Sequence, residues 1–304
     1  VLHRGEEPPI SGEKGIVNVF FPSCNMQCVY CQNWEISCRG TQGSVMSLGE
    51  VCNAIIELLP QSENNLGFVS PTHFVLQMVS IVEELRRRGY YPTIIYNTNG
   101  YELASTIRSL EGIVDVWLPD FKYSDDVLAI ALSDAPDYSH YALSSIKEMV
   151  HQVGNSLHTD DRGIARRGII IRHLVLPGQV INSIGVLKQI AKHLSPNLHL
   201  SLMSQYYPPD NLLTQNRKSC IANLNLRRSQ SPAHGMSGSR INPVHEMSGR
   251  TFLHRTITRQ EYKAVIESFH DLGFSHGWLQ DYKSHKNYRP DFSRDHPFEG
   301  FSTQ

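Results

Sequence analysis

Six short apolar runs, with stretches of helical spacing between them, organise the chain between residues 16 and 207. The runs are Ile16–Phe21, Leu66–Val69, Thr93–Tyr96, Ile113–Leu118, Gly168–Leu176 and Leu198–Met203, and most are rich in β-branched residues, as buried parallel strands are. Between them, Ser47 and Glu50 form a capping box that opens a helix with Val51, Ile55 and Leu58 on one face. Phe74–Arg88 carries apolar spacing with basic residues in its last turn and Gly89 behind it, as a helix C-terminus favours. Further helices are expected over Glu102–Leu110, Ser139–Val153 and Ile181–His193. Parallel neighbours require crossovers, so six β-α units in succession imply an α/β fold with helices outside. Six are too few to close an eight-stranded barrel, and an open, partial (β/α)6 TIM-like barrel is the expected architecture.

The composition removes several alternatives. The chain has 304 residues, 40% of them hydrophobic, enough to bury a core without disulfides or structural metals. With 28 basic and 29 acidic side chains the net charge is -1, which gives no field toward nucleic acid or an anionic membrane. No apolar run reaches the ~18 residues of a membrane span, and the N-terminal residues lack the apolar centre of a signal peptide. A cytoplasmic protein is expected. The chain opens on Val1 rather than Met, which leaves an upstream piece open.

Six cysteines are present, at 24, 28, 31, 38, 52 and 220, and half of them fall within eight residues directly after the first expected strand. Without a secretory signal, clustered thiols point to metal or redox chemistry rather than to a disulfide framework. Cys24, Cys28 and Cys31, spaced C-x3-C-x2-C, can hold three corners of a [4Fe–4S] cube, whereas electron-carrying clusters are usually closed by four cysteines. The open iron would then accept a small chelating molecule. The alternative is a structural zinc site with Cys38 as fourth ligand, although such sites usually pair two separated hooks.

The spacing Cys24-x3-Cys28-x2-Cys31, with Tyr30 before the third cysteine, resembles the signature of the radical S-adenosylmethionine superfamily. The flanking segments 8–15 and 20–37 resemble the branch related to pyruvate formate-lyase activating enzyme. The likeness covers about residues 8 to 207, with a weaker stretch at 255–284. It implies that the open iron binds the amino and carboxylate groups of S-adenosylmethionine, and that one electron cleaves the sulfonium to methionine and a 5′-deoxyadenosyl radical. It also implies an electron donor such as flavodoxin or ferredoxin. For the activating type the implied substrate is a partner protein that gives up a glycine hydrogen. A small metabolite or a peptide is the alternative substrate, and a non-catalytic zinc-binding module the alternative function. Cys38, Cys52 and Cys220 are too dispersed for a second cluster.

Chemistry in such barrels gathers at the carboxyl ends of the strands, and each expected strand here ends in polar groups. These are the three cysteines, then Ser70–His73, Asn97–Gly100, Pro119–Lys122, Arg172 with His173, and Ser204–Tyr207. Asp120 and Lys122 read as ligand contacts or as a strand-end ion pair. A buried Arg172 needs an anion, and His173, on the opposite face, reads as a packing residue. The resemblance assigns Tyr30 to the adenine, Asn97 and Asn99 to a Thr-Asn-Gly element, Asp120 and Lys122 to an Asp-x-Lys element, and Arg172 to an arginine of the fifth strand. Thr72 stands where many members carry Gly-Gly-Glu, so its hydroxyl or a backbone carbonyl would take that role. Tyr206 stands at a ribose-side histidine. The expected organisation is a core over 1–207, a flexible insertion over 208–255, and a C-terminal helix with an extension over 256–304 of the same domain. Thr258 and Glu261 cap that helix, and its buried face carries Tyr262, Val265, Ile266, Phe269 and Leu272. The arginines of the insertion, such as Arg227 and Arg240, read as a solvated loop.

Overall fold

The structure, a computed structural model, describes residues 1–37, 41, 43–209 and 251–284. Strands β1 (Leu2–His3), β2 (Ile16–Phe20), β3 (Asn65–Val69), β4 (Thr93–Thr98), β5 (Val116–Pro119), β6 (His158–Thr159), β7 (Ala165–Leu174), β8 (His199–Met203) and β9 (Gly277–Leu279) form one sheet. Its order is β1-β2-β3-β4-β5-β7-β8-β9, with β6 beside β7. Every pairing from β2 to β9 along this path is parallel, while β1 and β6 pair antiparallel. Among the described residues no pairing joins the two ends of the path, so the barrel is open, as expected.

The six expected strands all form, and the last short strand that the sequence also predicts at Gly277–Gln280 forms as β9, a seventh parallel one. Helices α1 (Pro8–Ser11), α2 (Trp34–Ser37), α3 (Leu48–Leu58), α4 (Val75–Arg87), α5 (Ala104–Arg108), α6 (Asp126–Ser133), α7 (Tyr138–Val153), α8 (Val180–His193) and α9 (Arg259–Asp271) fill the crossovers and the C-terminal part. Both capping boxes are made, Ser47 with Glu50 and Thr258 with Glu261. Helix α9 buries Tyr262, Val265 and Phe269, with Ile266 and Leu272 packed against the core.

Strand alternation divides the core in two. Val17, Tyr96, Trp117, Ile169 and Ile171 face the helices, whereas Ile16, Ile95, Val116, Leu118 and Ile170 meet inside the barrel, where Ile10 joins them. The inner face continues along the same strands in steps of two. Asn97 follows Ile95, Asp120 follows Leu118 and Arg172 follows Ile170. The apolar floor of the barrel thus turns into a polar mouth at the carboxyl ends.

Several segments differ from expectation. Helix α6 was not foreseen, and neither was β1 with the N-terminal stretch behind it. Most of the expected insertion lies outside the described residues, but Thr251–His254 forms a 3-10 turn with Leu253 fully buried. Ordered packing is thus present at the end of the expected insertion. No helix among the described residues is long and apolar enough to cross a membrane.

Candidate functional site

A cavity of about 230 Å³ opens at the carboxyl ends of the strands, lined by Cys24, Cys28, Cys31, Tyr30, Asn97, Asn99, Asp120, Lys122 and Arg172. Nine of the eleven residues expected at the site thus share one chamber with each other. Thr72 and Tyr206 do not line it. The Thr72 hydroxyl donates to Glu102 Oε1 at 2.6 Å, and the Tyr206 hydroxyl donates to the Leu253 carbonyl at 2.6 Å. Tyr206 instead presents its ring edgewise to Tyr30, with centroids 6.3 Å apart.

The cysteine loop leaves β2 through Ser23, which takes a positive φ of 68° just before Cys24. At its far side Ser70 does the same after β3, with φ 50°, and its amide donates to the Asn97 carbonyl. Non-glycine residues in this conformation are held by their surroundings and cluster at sites. The loop is fastened at both ends. On the Cys24 side, the Asn99 amide donates to Asn25 Oδ1 at 2.6 Å and to Cys24 Sγ at 3.4 Å. On the Cys28 side, the amides of Gln27 and Val29 donate to the carbonyls of Ser133 and Leu132, the last residues of α6. The Ser133 hydroxyl donates to Cys28 Sγ at 3.1 Å.

All three thiols are free. Burial raises the pKa of Cys24, pushes Cys28 up to about 11 and Cys31 to about 12, as removal of a thiolate from water demands. Among the described residues no three Cys, His, Asp or Glu side chains converge on the space of one metal ion. All three thiols line the chamber. Cys38, the fourth ligand of the zinc alternative, lies outside the described residues, as do Cys220 and the insertion arginines.

Opposite the sulfurs lies a charged network. Arg172 donates through Nε to Asp120 Oδ1 at 2.9 Å, through one terminal nitrogen to Glu6 Oε2 at 3.0 Å, and through the other to Asn97 Oδ1 at 2.6 Å. Lys122 pairs with the second oxygen of Asp120. Burial works against the charge of Asp120, but Lys122 and Arg172 outweigh it and hold the carboxyl below its ordinary range. Burial likewise opposes Glu6, yet the hydrogen bond to His3 and the Arg172 charge lower it to about 2. The anion that Arg172 requires is therefore supplied by the protein itself, and Asp120 with Lys122 is an ion pair whose members also face the chamber. A single hydroxyl, that of Tyr138, ties this wall together. It donates toward the carbonyls of Asn99 and Asp120 and accepts from the Lys122 amide at 2.9 Å.

His173, on the helix-facing side of β7, is fully buried between the Phe121 carbonyl at 2.7 Å and the Ser183 hydroxyl at 2.9 Å. It is a packing histidine, as read from the alternation. Residues absent from the sequence reading also matter. His3 and Glu6 reach the chamber from the N-terminal stretch, and Gln32 lines it near α2, facing Gln205, which was expected at the end of β8. Glu102 is buried behind Thr72, where it accepts from Thr72, Tyr96 and Thr98 and burial raises its pKa.

The donor set suits a group bound by soft ligands. Three free sulfurs on one wall, two of them facing amide or hydroxyl donors, match an iron–sulfur cluster wider than a single ion.

Comparison with known proteins gives a distant setting. No family model matches the sequence. An uncharacterized protein of Methanocaldococcus jannaschii, MJ0674, is 29% identical over 215 residues, covering 68% of this chain. The chain spans a little over half, 57%, of that relative's length. Among solved structures, the FeFe-hydrogenase maturase HydG from Carboxydothermus hydrogenoformans has a TM-score of 0.45 at 14% identity, over 95% of this chain and 65% of its own. Streptococcus suis SuiB bound to S-adenosylmethionine has 0.43 at 12% identity, over 70% and 48%. Escherichia coli coproporphyrinogen III oxidase (HemN), described as a radical SAM enzyme, has 0.40 at 12%, over 73% and 53%. None of these scores reaches 0.5, below which likeness does not carry function across.

Proposed function

We propose that the chain is a radical S-adenosylmethionine enzyme that carries one [4Fe–4S] cluster on Cys24, Cys28 and Cys31. The observation that supports this reading is the shared chamber, in which three free thiols face Asn97, Asn99, Asp120, Lys122 and Arg172 at one barrel mouth. When bound, the reduced cluster supplies one electron to S-adenosylmethionine and yields methionine and a 5′-deoxyadenosyl radical.

The chain's own part is to bind, orient and shield. Asn99 and Ser133 direct hydrogens at the sulfurs of Cys24 and Cys28, which favours their thiolate forms. Lys122, in the same chamber, places a cation near Cys28 and adds to that preference. The side chains of Asn97, Asp120 and Lys122 offer hydrogen-bond partners to a zwitterionic, nucleoside-bearing cofactor, with Arg172 and Glu6 holding their positions. Tyr30 contributes an aromatic wall on the cysteine side.

The finer reading is hydrogen abstraction from a protein partner of the glycyl-radical type, with flavodoxin or ferredoxin as electron donor. It is supported by the sequence resemblance over residues 8–207 and by the dispersal of the remaining cysteines.

Anaerobic reconstitution with iron and sulfide, followed by dithionite reduction and assay for 5′-deoxyadenosine, tests the proposal. The wild type is expected to cleave S-adenosylmethionine, and Cys24→Ala, Cys28→Ala and Cys31→Ala to lose that activity entirely. Zinc without iron in the purified protein, or undiminished cleavage in any of the three variants, would overturn it.

A further inference from the structure

We propose that Ser133, backed by Tyr123 and Tyr30, is a positioning residue whose hydrogen bond to Cys28 sets the reduction potential of the cluster. This rests on the cluster reading above. Four groups from three parts of the chain lie in one line. Tyr30 Oη is 2.6 Å from Tyr123 Oη, Tyr123 Oη is 2.5 Å from Ser133 Oγ, and Ser133 Oγ is 3.1 Å from Cys28 Sγ. Tyr30 is 5% exposed, and Tyr123 and Ser133 are 0% exposed, so water does not compete for these bonds.

The direction of the line follows from counting protons. A cysteine sulfur bound to iron has no hydrogen and can only accept. Ser133 has a single hydroxyl hydrogen, and the bond to Cys28 commits it. Tyr123 must then donate to Ser133, and Tyr30 must donate to Tyr123. Every hydroxyl in the line thus points its hydrogen toward the sulfur, and each bond polarises the next in surroundings of low dielectric.

The placement is fixed by the fold. Ser133 ends α6, whose last carbonyls already accept from the amides of Gln27 and Val29 on either side of Cys28. One helix terminus therefore grips the loop through its backbone and addresses the ligand through its side chain. Tyr30 belongs to the same loop, two residues beyond Cys28, so the line returns to the segment it serves.

Reduction adds one electron, taken from an external low-potential one-electron donor, and moves no proton, since the hydrogens stay on their oxygens. The added negative charge spreads onto the sulfurs, where a hydrogen-bond donor stabilises it, so the bond raises the reduction potential. Its removal makes the cluster harder to reduce.

The test is an EPR-monitored redox titration of the anaerobically reconstituted full chain, with iron and sulfide content measured for each variant. Ser133→Ala is expected to lower the ratio of reduced to oxidised cluster at fixed potential by up to about tenfold, about 59 mV for one electron. Tyr123→Phe should shift it in the same direction by less, and Tyr30→Phe by less again. In D2O, the reduced wild type should show exchangeable deuterons coupled to the cluster from both Asn99 at Cys24 and Ser133 at Cys28, and Ser133→Ala should lose the Ser133 coupling while keeping that of Asn99. An unchanged potential with an unchanged deuteron signal in Ser133→Ala would overturn the proposal, as would a larger shift in Tyr123→Phe than in Ser133→Ala. Should Ser133→Ala fail to load iron, an unchanged potential in Tyr123→Phe overturns it equally. A wild type without iron and sulfide defeats the cluster reading itself, which the metal analysis registers separately.

Discussion

Arg172 and His173 are neighbours on β7, yet one keeps its charge under burial and the other gives it up. Arg172 points into the barrel mouth, where the carboxylates of Glu6 and Asp120 repay the loss of water. His173 points at the helices and meets a carbonyl and a hydroxyl, neither of which compensates a positive ring. Burial accordingly lowers its pKa from 6.5 to about 4. In the unfolded chain it takes up a proton below about 6.5, in the folded chain only below about 4, so the unfolded state binds more protons between these values. Its contribution to stability is complete above pH 6.5 and falls as pH decreases toward 4. Urea unfolding of the metal-free protein at pH 7 and pH 5 should show this residue's share as about 2 kcal/mol lost. His173→Gln, which can still reach Phe121 and Ser183, should lose about that much less over the same interval. Parallel pH slopes for the two proteins would contradict the assignment.

Helix α6 shows how an element can carry a site without contributing to it by name. Its N-cap is Asp125, whose carboxylate accepts from the amides of Val127 and Leu128, and its C-terminal carbonyls hold the cysteine loop. Asp125→Ala should cost about 1 kcal/mol of helix stability and loosen the loop at the other end. Alkylation of Cys28 in the metal-free variant, followed by peptide mass spectrometry, should be faster than in the wild type; equal rates would show that the helix end and the loop are not coupled. This helix escaped the sequence reading for a physical reason. From Val127 to Leu132 every residue is apolar, so no 3.6-residue period marks a buried face. The other crossover helices were legible because polar and apolar residues alternate around them, and the strands because β-branched runs end in turn-forming residues. The strand ends placed Asn97 and Asp120 at the rim, and alternation set Arg172 and His173 on opposite faces, without knowledge of any partner. What no local pattern can reveal is Glu6, which meets Arg172 across 166 positions of sequence. Nor could it show that Thr72 and Tyr206 spend their hydroxyls on Glu102 and Leu253.

At the scale of the whole molecule, the chamber is closed on one side by the N-terminal stretch. β1 pairs with β2, His3 and Glu6 face the cavity, and Glu6 neutralises part of Arg172. Glu7 lies deeper, 9% exposed, with one carboxylate oxygen lacking a hydrogen-bond partner among the described residues, and burial raises its pKa. Deleting residues 1–7 takes away the Glu6 partner of a guanidinium that remains buried, together with the β1 pairing. The loss in unfolding free energy should be at least about 3 kcal/mol. A deletion that costs less than about 1 kcal/mol by urea unfolding would mean that this stretch does not close the wall.

The walls of the chamber come from separate strand ends held in one register by the sheet beneath them. A change in the length or content of one crossover therefore leaves the opposite wall where it was. Inheritance can remodel the part that meets a reactant, one loop at a time, while the sulfur-bearing segment stays anchored to its helix, so descendants of this scaffold can diversify in what they accept without rebuilding how they grip.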